Sequence, residues 1–320
     1  MSHFRIATME GAAVVSIPVA DAQWNTERDG KAAQFTFKYP RDCGIRLEEG
    51  QLISFMMDED PVFVGYVFKS KASKSDLIDV TAFDQMRYLQ NKSTYLFKGE
   101  TLDEIVAMLA HDMGLQVGPL AKASTPIQQV NEDSKLIDII EEARNATMDK
   151  EGVLYQIWDN CGSLSMARLP QDRMTDLFIG DASLLTDYSY ERSIDSDTYN
   201  RVILYKKDGD EGKYIVEKAV DEKNIDKWGV LQYLKKADEK MSRAEMKAEA
   251  EATLAVRNRV KRELTLDAVG DRRCEAGCSI YVGVEQEGLR GWALINRAEH
   301  RFEGKGAHTM KLTMNMIDAS

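Results

Sequence analysis

Cys274 and Cys278, with three residues between them and with His300 and His308 downstream, are the one cluster in the sequence carrying the donor types of a zinc site. Structural zinc takes four thiolate or imidazole ligands, and cysteines two to four residues apart are a common half-site. The surroundings read otherwise. Cys278 falls at the start of a strand, and the two histidines flank the hairpin Glu303-Gly304-Lys305-Gly306. We read all four as ordinary turn and strand residues and expect no metal. The carboxylate pairs Glu48/Glu49 and Asp58/Asp60 could serve glycoside hydrolysis, which needs two carboxyls about 5–10 Å apart. The chain holds 53 acids, so neighbouring pairs arise by chance, and these pairs sit in turns where acids stay solvated. There is no P-loop, dinucleotide glycine fingerprint or nucleophile elbow. Lys235-Lys236 and the stretch Arg257 to Arg262 are local basic patches, read as a solvated face with i,i+4 pairs rather than a phosphate site. No catalytic, cofactor-binding or metal residue is assigned, and an enzyme is not expected. Tyr188, Tyr190, Tyr199 and Tyr205 are spaced for cross-strand packing or for a subunit interface, where tyrosine is enriched.

The elements that would carry these residues are mostly strands. Gln34 to Tyr39 alternates polar and aromatic side chains, as a half-buried strand does. Leu52 to Met57 and Val62 to Phe68 are two more strands, joined by the turn Asp58-Glu59-Asp60-Pro61. Leu77 to Phe83 closes the first β region. Helical signals follow: the capping box Thr101-Leu102-Asp103-Glu104, an apolar face of Leu102, Ile105, Val106 and Leu109, and Gly114 as the C-cap. A second helix is expected from Ser134, and Val153 to Arg168 reads as a hairpin turning at Asp159-Asn160-Cys161-Gly162. From Leu184 the β pattern returns, with a turn at Lys207-Asp208-Gly209-Asp210. One long helix, opened by Ser242-Arg243-Ala244-Glu245, is expected over about 242–261, and the chain ends in strands through Ile317. The spacing thus predicts an α+β, mainly β protein. It divides into β regions over 1–90 and 173–320, with a small α/β insert over 91–172.

Composition agrees with a packed protein. Hydrophobic residues make up 43% and charged residues 30%, the balance of a core-forming chain. No apolar run approaches the ~20 residues that cross a bilayer. The net charge of −11 and a pI near 5.1 disfavour a protein that coats nucleic acid or an anionic membrane. Four scattered cysteines are too few for a disulfide framework, which suits synthesis in a reducing cytoplasm.

A weak internal repeat is the most informative feature. Gln34 to Phe37, then Glu48-Glu49-Gly50-Gln51-Leu52-Ile53, Val64 to Val67 and Asp79 to Phe83 recur in order. Their counterparts are Arg262 to Leu266, Glu275-Ala276-Gly277-Cys278-Ser279-Ile280, Arg290 to Ala293 and Lys311 to Met314. The repeat predicts two similar antiparallel β-barrel modules, with Gly50 matching Gly277 and Gly65 matching Gly291. Three such chains would present six modules and could meet a six-fold partner.

Three stretches carry a resemblance to a known family. They are Val80 to Leu89 with Asn91-Lys92 and Thr101 to Leu115; Tyr188 to Ile194 with Tyr199 to Val202; and the Ala/Glu-rich helix leading into Leu264 to Met314. Together they resemble the baseplate hub proteins of contractile phage tails, above all the hub of PBSX-like defective prophages and R-type bacteriocins. Similar modules occur in late-control-D-type hubs and in type VI spike proteins. The resemblance implies tube-type β-modules and a homotrimer closing into a pseudo-hexameric ring. Such a ring sits between the six-fold tail tube, or a tube initiator, and a separate three-fold central spike, among other baseplate proteins. It implies no cofactor, no specific nucleic-acid binding and no membrane insertion, and places the protein in the tail baseplate of a phage or phage-tail-like particle. The alternatives are a tail-associated module binding cell wall or carbohydrate through the α/β insert, or a cell-wall hydrolase.

Overall fold

The computed structural model describes residues 4–10, 13–19, 21–28, 30–170, 173–181, 183–208, 213–303 and 307–317. The expected turns at Gly209-Asp210 and Gly304 to Gly306 lie outside the described residues. The first β region holds β1 (Phe4–Glu10), β2 (Ala13–Ile17), β3 (Asp21–Glu27), β4 (Gln34–Pro40), β5 (Leu52–Met57), β6 (Asp60–Ala72) and β7 (Leu77–Phe83). Alternation decides what each strand buries: in β4 Phe35, Phe37 and Tyr39 enter the core while Lys38 stays exposed. The β5–β6 turn is tighter than expected. Asp58 and Glu59 alone take positive φ, 49° and 72°, the two-residue hairpin geometry that suits strand twist, and Asp60 and Pro61 already belong to β6.

The middle of the chain gives β8 (Lys92–Glu100), α1 (Leu102–Asp112), β9 (Val117–Leu120), β10 (Ile127–Lys135), α2 (Leu136–Glu151), β11 (Leu154–Asp159) and β12 (Leu164–Leu169). The Glu104 carboxylate accepts from Thr101 N–H at 2.9 Å, and Gly114, just past the C-cap Met113, takes φ 67°. The second helix begins at Leu136 rather than Ser134, because Ser134 and Lys135 still pair with β8. Leu102, Ile105, Leu109, Leu136, Ile140 and Tyr155 belong to a core of this region's own.

Then come β13 (Arg173–Gly180), β14 (Leu185–Ser193), β15 (Arg201–Asp208), β16 (Lys213–Val220), α3 (Glu222–Trp228), β17 (Gln232–Lys236), α4 (Arg243–Arg257), β18 (Lys261–Val269), β19 (Ser279–Val284), β20 (Leu289–Glu303) and β21 (Ala307–Met316). The capping box of α4 is complete: Ser242 Oγ accepts from Glu245 N–H and Glu245 accepts from Ser242 N–H. This helix stops at Arg257, short of the expected Lys261, because Lys261 opens β18. No helix among the described residues is long and apolar enough to cross a membrane.

The fold is α+β and mainly β: among the described residues 54% lie in strands against 20% in helices, and the sheets stay open. The packing divides the chain into two units, 1–189 with 264–320, and 190–263. The smaller unit is the sheet β16-β15-β17 with α4, built on Val202, Leu204, Met246 and Ala250. Within it Tyr199 packs at a tilt against Tyr233 and Tyr205 edge-on against Tyr214, and in the larger unit Tyr188 donates to Glu287, so three of the four noted tyrosines have side-chain partners inside the chain.

The larger unit contains the repeat. Its main sheet runs β14-β18-β21-β20-β3-β4-β7-β6-β5-β1-β2, with β19 on β20 and β13 on β19. The order β3-β4-β7-β6-β5 therefore recurs as β14-β18-β21-β20-β19. The agreement reaches single hydrogen bonds. Gly50 N–H donates to Val67 O at 2.7 Å and Gly277 N–H to Ile295 O at 2.8 Å; Val67 N–H donates to Gln51 O and Ile295 N–H to Cys278 O, both at 2.9 Å. Each Glu-x-Gly turn closes the same way, Gln51 N–H to Glu48 O and Cys278 N–H to Glu275 O, both at 3.2 Å. Both long strands then carry the same one-residue bulge. Val67 pairs with Ala82 and Lys69 with Thr81, while Ile295 pairs with Met314 and Arg297 with Thr313.

These bonds match Gly50 to Gly277, as expected, but not Gly65 to Gly291. Gly65 faces Ile53 and Ala293 faces Ile280, so Ala293 is its counterpart. The glycine at 65 has a local cause. The Phe63 ring lies across it, and a Cβ there would strike that ring and the Phe83 carbonyl.

Candidate functional site

The joint between the two repeats is one strand pair. The first half of β20 pairs with β19; beyond the bulge, Arg297 to Glu303 pairs antiparallel with β3, Arg297 facing Glu27 and Glu303 facing Asp21. A strand of the second repeat thus hydrogen-bonds to the first strand of the first. Side chains lock it. Phe302 packs into the first module's core, its ring 4.7 Å from Phe55 and 5.9 Å from Phe4. His300 lies opposite Trp24, rings 5.2 Å apart, and both are buried. The Arg297 guanidinium reaches Glu27 at 3.7 Å.

Three of the four zinc-candidate residues meet at this joint, in another role. His300 Nε2 lies 3.0 Å from the Cys274 backbone carbonyl and Nδ1 lies 2.9 Å from His308 Nε2. A carbonyl only accepts, so His300 Nε2 carries the proton, and His308 Nε2–H donates to the bare Nδ1 of His300. His308 Nδ1 is left as a buried acceptor without a partner. Burial pushes both imidazoles down to about 4, so both are neutral at pH 7. Burial pushes the Cys274 thiol well up, the reverse of the thiolate that zinc needs. Among the described residues no three His, Cys, Asp or Glu side chains are arranged to hold a metal ion.

Glu48, Glu49 and Asp58 lie in turns as expected, whereas Asp60 opens β6; all four are exposed, and Asp60 pairs with Arg272. Sequence reasoning missed a different acid group. Asp84, Asp159 and Glu275 line a cavity of about 30 Å³ with Trp24 and Gln156, a space for one water rather than a sugar ring. Burial, and then the neighbouring Asp159 charge, push Asp84 well up, although it accepts from Ala33 N–H and Met86 N–H at 2.8 and 2.9 Å. Burial pushes Glu275 up to about 7. The signal for Asp84 was present: an Asp directly before a helical turn is an N-cap, and it caps Gln85–Gln90. Gln85 ties this turn to the strands that follow, donating to Asp159 at the end of β11 at 2.6 Å and to Gln116 O just before β9 at 3.0 Å.

Several sheet edges are open among the described residues, including β2 and β13, and two of them flank this frame. β14 ends the main sheet, and β6 has no ladder partner beyond Val67 on its β5 side among the described residues. An edge with free N–H and C=O groups is a template for another strand.

Repeated antiparallel modules spliced edge to edge define a fold of the phage tail and baseplate type. The 43 kDa tail protein of prophage MuSo2 from Shewanella oneidensis shares it, with a TM-score of 0.73 over 98% of each chain at 13% identity. So does the E. coli c3393 protein, described as a type VI secretion component similar to bacteriophage T4 tail proteins gp27 and gp5, with a TM-score of 0.58 over 99% of this chain and 77% of that one at 10% identity. The chain belongs to the YQBQ-like family, whose pattern it matches over residues 22–315. Among relatives, the phage-like element PBSX protein XkdQ of Bacillus subtilis strain 168 is 27% identical over 271 residues, 83% of this chain and 81% of that one.

Proposed function

We propose that this chain is the structural, non-enzymatic hub of a contractile injection device. It acts as a homotrimer whose six β-modules form a ring joining the six-fold tail tube to a three-fold spike. In this reading 1–90 and 173–320 each supply one module and 91–172 is an insert that spaces them. The reading carries no cofactor and no metal. The supporting observation is the repeat, which agrees hydrogen bond by hydrogen bond and places two modules edge to edge in one chain. A trimer of two-module chains presents six near-equivalent edges to the tube and keeps only three-fold symmetry for the spike. The partners are the tube protein or its initiator, the spike and neighbouring baseplate proteins, within the particle in a bacterial cytoplasm or after release. Quantitative mass spectrometry of purified particles tests it: the reading requires three copies of this chain for every six subunits in one tube ring. Six copies, or a variable number, would refute it.

A further inference from the structure

We infer that β14 of one chain adds as a strand to the open end of β6 in a second copy of the same chain, repeating between subunits the splice that β3 makes on β20 within one. The inference rests on the ring reading and names the surface that closes it.

The template is internal. β20 has β21 along one side; on the other it has β19 up to the bulge and β3 beyond it. β6 is built alike, with β7 along one side and β5 up to its own bulge, but among the described residues no strand pairs with Lys69 to Ala72 where β3 would lie. By the shared bulge, Lys69 stands level with Arg297 and Ala72 with His300. The missing strand is the counterpart of β3, and that counterpart is β14, which follows β18 in the sheet as β3 follows β4 and among the described residues has no strand on its far side. One chain thus carries one satisfied joint and both halves of a second. The halves lie at opposite ends of the repeat, so they meet only between copies, head to tail.

Burial marks the same two stretches. Ala298 and His300 under β3 are fully buried, whereas Ser70 is half-buried and Ala72 exposed at the matching places on β6. Ala22 and Trp24 of β3 are buried, and no residue of β14 is.

The test is disulfide trapping in assembled particles. Lys71→Cys is combined in turn with a cysteine at Thr186, Asp187, Tyr188 or Ser189, and linked peptides are mapped by mass spectrometry to exclude the native cysteines. Inter-subunit links should form at alternate β14 positions and not in the single variants. Hydrogen exchange on the unmutated protein gives a second readout: amides of 69–72 and 185–189 should exchange in the free chain and become protected in the particle. A three-copy ring without these links or this protection would overturn the inference and leave the hub reading standing. Absence of any ring would overturn both.

Discussion

Replacing His300 with glutamine removes the proton-binding group from the joint between the modules and leaves a polar side chain in its place. His300 is fully buried against Trp24 and Phe302, with His308 on one ring nitrogen and the Cys274 carbonyl on the other; Asp271 is the nearby acid. Its folded-state pKa of about 4 lies below the roughly 6.5 of an unfolded chain. The unfolded chain therefore takes up the proton first, and the stability from the neutral imidazole, whole above about 6.5, is lost as pH falls towards 4. Between pH 7.5 and pH 5 this group alone should cost about 2 kcal/mol. Urea unfolding of both proteins at the two pH values isolates the effect. Glu275, which is pushed up to about 7 and titrates with the opposite sign, is present in both and cancels in the comparison. His300→Gln should be less stable than the parent at pH 7.5, because the Cys274 carbonyl and His308 lose a matched partner. Its further loss on going to pH 5 should be about 2 kcal/mol smaller than the parent's. Equal losses would refute the neutral buried imidazole.

The matched turn glycines should differ in their tolerance of a methyl group. Both have positive φ, which costs an alanine about 1–2 kcal/mol, but a Cβ on Gly50 meets open space while one on Gly277 collides with the Gln156 carboxamide. Gly277→Ala should therefore lower the urea midpoint clearly more than Gly50→Ala; equal shifts would contradict the turn geometry. Phe302→Ala removes a second-repeat side chain from the first module's core and should cost about 3–5 kcal/mol, read by denaturant unfolding; under 1 kcal/mol would mean the joint is not packed as described. Elemental analysis should find well under one zinc per chain, and stoichiometric zinc lost in Cys278→Ser would reverse the assignment of that cluster.

What was legible in the sequence was local. Alternation in Gln34 to Tyr39, the capping box at Ser242 and the Glu-x-Gly pattern at Gly277 each have short-range causes, and each was readable. The end of α4 was misjudged because Lys, Arg and Glu suit a helix, yet Lys261 to Leu266 is held as strand by its neighbours in the sheet. Gly65 and Gly291 looked equivalent because spacing cannot see that the β5–β6 and β19–β20 connections differ in length, nor the Phe63 ring. The joint itself was hidden: β3 and β20 are far apart in the chain, and no local pattern announces their pairing. His300 and His308 were noticed as possible ligands. Their actual role needed a neighbour, Trp24, that nothing in the spacing connected to them. The cavity acids were lost among the chain's 53 acids, because burial rather than residue type distinguishes them.

Electron cryo-microscopy of the native particle, reconstructed around the distal end of the tail tube without imposed symmetry, tests the central claim most directly. The account predicts one ring of three copies of this chain, six β-modules around a central channel, with the tube on one face and the spike on the other. Two or six copies in the ring, or density for this chain on the fibres, would contradict it.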